Sequence, residues 1–318
     1  MSALFLGIDG GGTKTAFILL DEGGRLLARH ESTTSYYLEI GFDALRALLR
    51  DGIQAALHQA GSAASDVSHA FAGLPAHGED SGLLPAFDGL LAGVLPRSTV
   101  GNDMVCSWAG SLAGADGISL VAGTGSIAYG EWMGRGARSG GWGEVFGDEG
   151  SAHWLAREVL ALFSRMADGR AEPGPLLGLV RRHFELRHDL DLCGSINGGA
   201  ARSELAQVAR LATAAAQAGD EQASQLLVRA GDELAALAAG VARNLGLADI
   251  QALPVSYSGG VFAAGELVLG PLKAALARRL PGAVLTTPRH GPELGAALYA
   301  ARLGGRPLSP AALARLKG

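Results

Sequence analysis

Asp9, three consecutive glycines at positions 10–12, and then Thr13, Lys14 and Thr15 gather the groups that suit a polyphosphate. Gly10, Gly11 and Gly12 can take backbone angles closed to other residues and let a ligand approach the main chain. Main-chain N–H groups in such a turn, with two hydroxyls and an ammonium beside them, make an anion-binding concavity. Asp9 is placed to hold Mg²⁺, directly or through water. Apolar runs at residues 4–8 and 16–20 flank the segment, so the pattern predicts strand, turn, strand. Gly7 and Gly12 have Walker A spacing, but Thr13-Lys14 stands where Lys-Ser/Thr is required, and no helix follows. An ordinary glycine-rich hairpin is the other reading of the same residues.

Composition narrows the classes of function. The chain has 318 residues, 48% of them hydrophobic and 18% charged, enough apolar material for two soluble domains. The 48 glycines show no collagen period and suggest many tight turns. A net charge of −5, with no Lys/Arg run, argues against a nucleic-acid partner. Cys106 and Cys193 are far apart in sequence, which supports neither a disulfide framework nor a zinc ribbon. The N-terminal segment lacks the basic region of a signal peptide, and no apolar stretch reaches the ~18 residues of a membrane span. A cytoplasmic protein with no membrane partner is expected.

The elements that must position these groups read as an α/β layer arrangement. After the hairpin come a strand at 25–31, a helix at 41–61, a strand at 67–72, a helix at 79–94 broken by Pro85, and a strand from 98 that ends at Asn102-Asp103. The pattern restarts with a strand at 118–122, the turn Gly123-Thr124-Gly125-Ser126 and a strand at 127–133, as in a duplicated domain. Residues 134–150 read as a loop. Helices are predicted near 151–167, 173–184, 202–217, 223–245, 265–280 and 292–301, with strands at 255–258 and 283–286. Residues 310–316 fit one more short helix with Ser309 as N-cap. The alanine-rich helices between 202 and 245 read as scaffold without chemistry.

With these stretches in place, the chain resembles the sugar-kinase/Hsp70/actin superfamily, and within it the BadF/BadG-type group that contains N-acetylglucosamine and glucosamine kinases. The resemblance is carried by GIDGGGTKT (7–15), GNDM (101–104), AGTGSIAYG (122–130), GGWGEVFGDEGSAHWL (140–155), SGGVF (258–262) and GPELGAALYA (291–300). It implies two ribonuclease-H-like, actin-like ATPase domains, with ATP and Mg²⁺ in the cleft between them. The domains are expected at 1–112 and 113–302, with residues 303–318 returning to the first. A homodimer is a further expectation from the family.

The same resemblance assigns roles. Asp103 becomes the base that takes a proton from a sugar hydroxyl, while the alternative makes Asn102-Asp103 an N-cap for the next helix. Thr124, Gly125 and Ser126 become the second phosphate clamp, and Gly259 and Gly260 the turn on the adenosine side. Gly141, Trp142 and Gly143 resemble a sugar-contacting loop, with Asn102 and Asp148 as further sugar contacts; Trp142 as a buried anchor is the alternative. Glu149 and Ser151 fit helix caps equally well. Where relatives that phosphorylate N-acetylglucosamine can carry asparagine, this chain has Ser35, which keeps glucosamine open as substrate. The implied activity is phosphorylation of N-acetylglucosamine at its 6-position. A different class, an ATP-driven activator of a partner dehydratase, would need cluster-binding cysteines that the second phosphate loop lacks.

Overall fold

The hairpin around the glycine run begins the first of two sheets. A computed structural model describes residues 2–197 and 202–316. Strands β1 (Leu4–Gly10), β2 (Thr15–Asp21) and β3 (Leu26–Ser32) form an antiparallel meander. Helix α1 (Tyr37–Gln59) then leads to β4 (Val67–Leu74), which lies parallel to β1. The short α2 (Leu84–Asp88) leads to β5 (Ser98–Asn102), parallel to β4, and α3 (Met104–Ser111) follows at once. The strand order is β3-β2-β1-β4-β5. One face of this sheet, through Leu6, Ile8, Phe17 and Leu19, packs on Leu45, Leu49 and Ile53 of α1.

The second sheet repeats the plan. Strands β6 (Gly117–Ala122), β7 (Ser126–Trp132) and β8 (Arg135–Gly140) form another antiparallel meander. Helices α4 (Ala152–Ala167), α5 (Pro175–His183), α6 (Asp191–Asn197), α7 (Arg202–Gln217) and α8 (Glu221–Leu245) intervene before β9 (Leu253–Ser258). Helix α9 (Glu266–Arg279) and β10 (Ala283–Thr286) complete the set. The order β10-β9-β6-β7-β8 is the first sheet's order read backwards, as a duplicated domain requires.

Residues 2–116 and 287–316 form one compact unit and 117–286 the other. The sequence places 287–302 with the second half, but the structure puts α10 (Pro292–Leu303), followed by α11 (Pro310–Arg315), on the first sheet. The reason is close packing. A Cβ at Gly7 would collide with the Ala297 nitrogen, and one at Gly295 with the Cys106 carbonyl, so only glycine lets α10 lie directly on β1 and α3. Ala297 and Leu298 there cover Ile18 and Leu20, which bury the sheet's other face.

Other local differences have simple causes. Gly41, read as a helix start, is a kink inside α1, with φ 76° and ψ 161°. The expected helix at 79–94 shrinks to a 3₁₀ turn and α2, because Pro85 begins a helix and Gly89 ends it. Strand β8 was hidden in a glycine- and arginine-rich stretch without β-favouring residues, and it forms by pairing with β7. Ser309 caps α11 as expected, accepting from the Ala312 N–H at 3.2 Å.

A paired substitution tests the α10 contact. Gly7→Ala should cost about 1–3 kcal/mol or more through overpacking against backbone. Gly12→Ala, with no atom within 4 Å of its Cβ, should lie near wild type. Denaturant titration of the two variants measures the difference.

Candidate active site

In the first unit, the parallel strands β1 and β4 pair Asp9 with Gly73, and β5 pairs Asn102 with Leu74. Asp9 and Asp103 therefore sit at the same end of the sheet. Asn102 Oδ1 accepts from the Met104 N–H at 3.0 Å, and Asn102 Nδ2 donates to the His77 carbonyl at 2.9 Å. This amide ties the end of β5 to the start of α3 and to the His77 segment, with one N–H and one lone pair beyond these bonds. Asp103, at the N-cap position of α3, makes no full side-chain cap, though backbone N–H groups of Asp103 and Met104 lean on its carboxylate.

These carboxylates are electrostatically strained. Burial, then the Asp103 and Glu293 charges, push Asp9 up to about 7, opposed by a hydrogen bond from Cys106 and by Lys14. Burial, aided by Glu79, raises Asp103 to about 6. Glu293, in the first turn of α10, escaped the sequence reading although it lies within the GPELGAALYA stretch. Its only sequence signal is the neighbouring Gly-Ala-Ala run, which marks close packing. The donor set suits a hard divalent cation. Among the described residues no three His, Cys, Asp or Glu come together as a chelate. A cation here would thus rely on Asp9 and on ligand oxygens.

The first glycine turn departs from expectation in detail. None of Gly10, Gly11 and Gly12 has a positive φ. Gly10 is needed for close approach instead, since a Cβ would collide with Ser35 Oγ, while Gly12 faces open space. Gly11 O accepts from the Ser35 N–H and from Thr34 Oγ1, both at 3.2 Å, which ties the turn to the following loop. Thr13 is exposed. Lys14 reaches Glu31 at 3.2 Å in an exposed pair worth little, so its ammonium can exchange to a phosphate. Thr15 is fully buried and donates to the Thr33 carbonyl at 2.8 Å; its hydroxyl is a structural tie rather than a phosphate ligand. Ser35 is 1% exposed and its Oγ has no hydrogen-bond partner, a buried donor left for a ligand.

The second unit carries the other glycine turns. Thr124 is exposed between β6 and β7. Ser126 is not: its hydroxyl donates to the Glu149 carbonyl at 2.7 Å and its N–H to Asp148 Oδ1 at 3.3 Å. Of the three residues expected as a clamp, Ser126 is thus tied into the protein and Thr124 is the exposed one. Asp148, 4% exposed with φ 58°, lies behind Gly125, where a Cβ would meet its Oδ2 at 2.7 Å. The carboxylate expected on the sugar thus also holds the phosphate turn. Ser151 caps α4, accepting from the Trp154 N–H at 3.1 Å.

Gly141 and Gly143 adopt positive φ around Trp142, which is 66% exposed with the Arg138 guanidinium 5.6 Å from its ring centroid. Trp142 is not a buried anchor. Its loop presents an aromatic face and open backbone, the features that hold sugar rings. Gly259, with φ 108°, has no room for a Cβ beside the Ala122 carbonyl, and Gly260 borders a cavity of about 590 Å³. Thr124, Gln207, Arg210, Thr213 and Gln217 also line this cavity. Helix α7 therefore contributes a polar stripe to this cavity, where the sequence reading expected scaffold alone.

The BadF/BadG/BcrA/BcrD ATPase family model matches residues 6–300. The chain belongs to that family. The N-acetyl-D-glucosamine kinase of Dictyostelium discoideum is 29% identical over 311 residues, 93% of this chain and 97% of the relative. The N-acetylmuramic acid/N-acetylglucosamine kinase of Clostridium acetobutylicum is 29% identical over 233 residues, 72% of this chain and 76% of the relative. A crystal structure from Chromobacterium violaceum, provisionally described as an N-acetylglucosamine kinase, superposes with TM-score 0.70 at 29% identity, covering 93% of this chain and 98% of that one. The glucose- and AMPPNP-bound ROK glucokinase of Streptomyces griseus (TM-score 0.51, 21% identity, 94% and 100% covered) shares the fold. None of the described helices is long and apolar enough to cross a membrane.

The raised Asp9 predicts a trade between stability and function. Its folded value of about 7 exceeds the ordinary 3.8, so between these pH values the folded protein keeps a proton that the unfolded chain has lost. Stability from this group therefore falls as pH rises through that window and levels off above it. Asp9→Asn removes the cost. The variant should melt higher than wild type, by about 2 °C or more, with a larger gain at pH 8 than at pH 5 by calorimetry.

Proposed function

We propose that this member of the BadF/BadG/BcrA/BcrD ATPase family is an ATP- and Mg²⁺-dependent hexosamine 6-kinase, with N-acetylglucosamine as first substrate and glucosamine as second. The observation that carries the reading is the half-buried pair Asp9 and Asp103, both raised in pKa, beside an open glycine turn. The named relatives support the substrate class. In this reading the sugar O6 attacks the γ-phosphorus, forming the O6–P bond as the bond to the β-phosphate oxygen breaks. Asp103 takes the O6 proton, and ADP is released. Because this transition state is loose, most of the protein's contribution is positioning and charge neutralisation.

Each residue then has a task. The Gly10–Gly12 main chain, Thr13 and Lys14 bind phosphate oxygens, with Thr124 and Gly125 as the second clamp. Gly259, Gly260 and the α7 stripe take the nucleoside. Ser35, Gly141, Trp142, Gly143 and Asp148 hold the sugar. Asp9 would hold Mg²⁺, which supplies charge neutralisation at the transferring phosphoryl group. The domain roles, a homodimer and a cytoplasmic location complete the proposal by analogy with the family.

Three measurements test it. ADP release with Mg-ATP should respond to N-acetylglucosamine or glucosamine far more than to glucose, N-acetylmannosamine or no sugar. Hydrolysis indifferent to every sugar would favour the activator reading instead. Asp103→Asn should lower kcat by about 10²-fold or more with ATP affinity little changed, since general base catalysis is of that size. Because the base must be ionised, kcat should fall as pH drops through about 6, the raised value of Asp103. A flat profile from pH 8 to about 5 would remove Asp103 from that role.

A further inference from the structure

The first unit also holds a cavity of about 430 Å³ between β2 and β3 on one side and α10 and α11 on the other. Its floor is apolar, made by Ile18 of β2, Leu294 of α10 and Leu316 just after α11. Leu26, at the start of β3, also lines it and stands 47% exposed. The guanidiniums of Arg25, Arg29 and Arg315 complete the lining, and among the described residues no acidic side chain joins them. The walls are fastened to one another. Gly24 turns the chain with φ 77°, and a Cβ there would collide with the Ala312 carbonyl, so the β2–β3 turn lies directly on α11. Arg315 Nη1 donates to the Gly23 carbonyl at 3.3 Å, and Arg306 pairs with Glu22 at 3.3 Å. Protein interiors close up around voids wherever they can, so a framed space of this size has the character of a small-molecule site.

We infer that this cavity binds a small amphipathic anion, an alkyl chain ended by a carboxylate. The chain lies on Ile18, Leu294 and Leu316 and covers Leu26, while the guanidinium forks meet the carboxylate, whose geometry they match bidentately. Arg25 now pairs with Asp21 at 3.3 Å and Arg29 with Glu31 at 3.0 Å, in exposed pairs that are worth little and exchange readily. A sugar or a nucleotide would leave its hydroxyls unmet, because the lining offers no carboxylate, amide or hydroxyl side chain. The inference is independent of the kinase reading, since none of these residues has a part in it. Arginine stems that only shield an apolar floor from water would give the same lining with no ligand, and titration separates the two accounts.

Calorimetric titration of the full chain with octanoate, acetate and 1-octanol is the test. Octanoate should bind saturably. Acetate should bind at least about tenfold more weakly, because each buried methylene is worth about fourfold in affinity. Octanol keeps the chain and loses the charge-assisted hydrogen bonds, so it too should be weaker by about tenfold. Arg29→Glu and Arg315→Glu each bring a carboxylate to the rim from an exposed position, and each should weaken octanoate by about tenfold or more while the melting temperature stays near wild type. The two arginines stand on different elements, so one variant still decides the matter if the other fails to fold. No saturable binding of octanoate, octanol or acetate binding as tightly as octanoate, or wild-type affinity in a folded variant would each overturn the assignment.

Discussion

Like charges crowded into a half-buried place at the end of one sheet are the constraint on which the site depends. Asp9, Asp103 and Glu293 come from β1, the β5–α3 junction and α10, and each raises the cost of ionising Asp9 or shares in its burial. A fold selected for stability alone would not gather them. Such clusters occur where a ligand's cation or proton completes the charge balance, and their presence is itself an argument for function. The small residues around them follow from this. Gly7, Gly73 and Gly295 bring three elements close enough for their carboxylates to converge while excluding solvent.

The two units share one topology, against which their local differences become intelligible. Each has an antiparallel meander followed by two parallel strands, and each offers a glycine turn at its first hairpin. The turns are nevertheless built differently. The first is open, with Gly12 and Thr13 facing solvent and Gly11 tied back by Thr34 and Ser35. The second is braced from behind, with Ser126 and Asp148 fastening it to the segment that starts α4. Bracing orients a few donors well at the cost of their number, which suits a group that must meet a transferring phosphate in one geometry.

Much of this was legible in the residues. The glycine turns, the acidic strand ends and the small-residue motif near the C-terminus are local signals, and alternating hydrophobicity places them at strand termini. What sequence could not give was which polar atoms the protein keeps for itself. Thr15, Ser126 and Asn102 look like ligand donors in sequence, and each is tied by a partner distant in the chain or by its own turn. Helix α7 read as scaffold because spacing alone cannot show that its polar residues line a cavity. Glu293 gains meaning only when α10 packs on β1.

The return of residues 287–316 to the first unit has a consequence for how the chain is made. During synthesis β1 emerges well ahead of its packing partner α10, which follows more than 280 residues later. The second unit is contiguous in sequence and can complete its core while the first still lacks one cover of its sheet. Domains fold as units as they leave the ribosome, and long-range contacts wait on chain that has not yet been made. The carboxylates therefore come together only after the whole second unit has been made, and the protein cannot gather its costly charge until α10 has been translated.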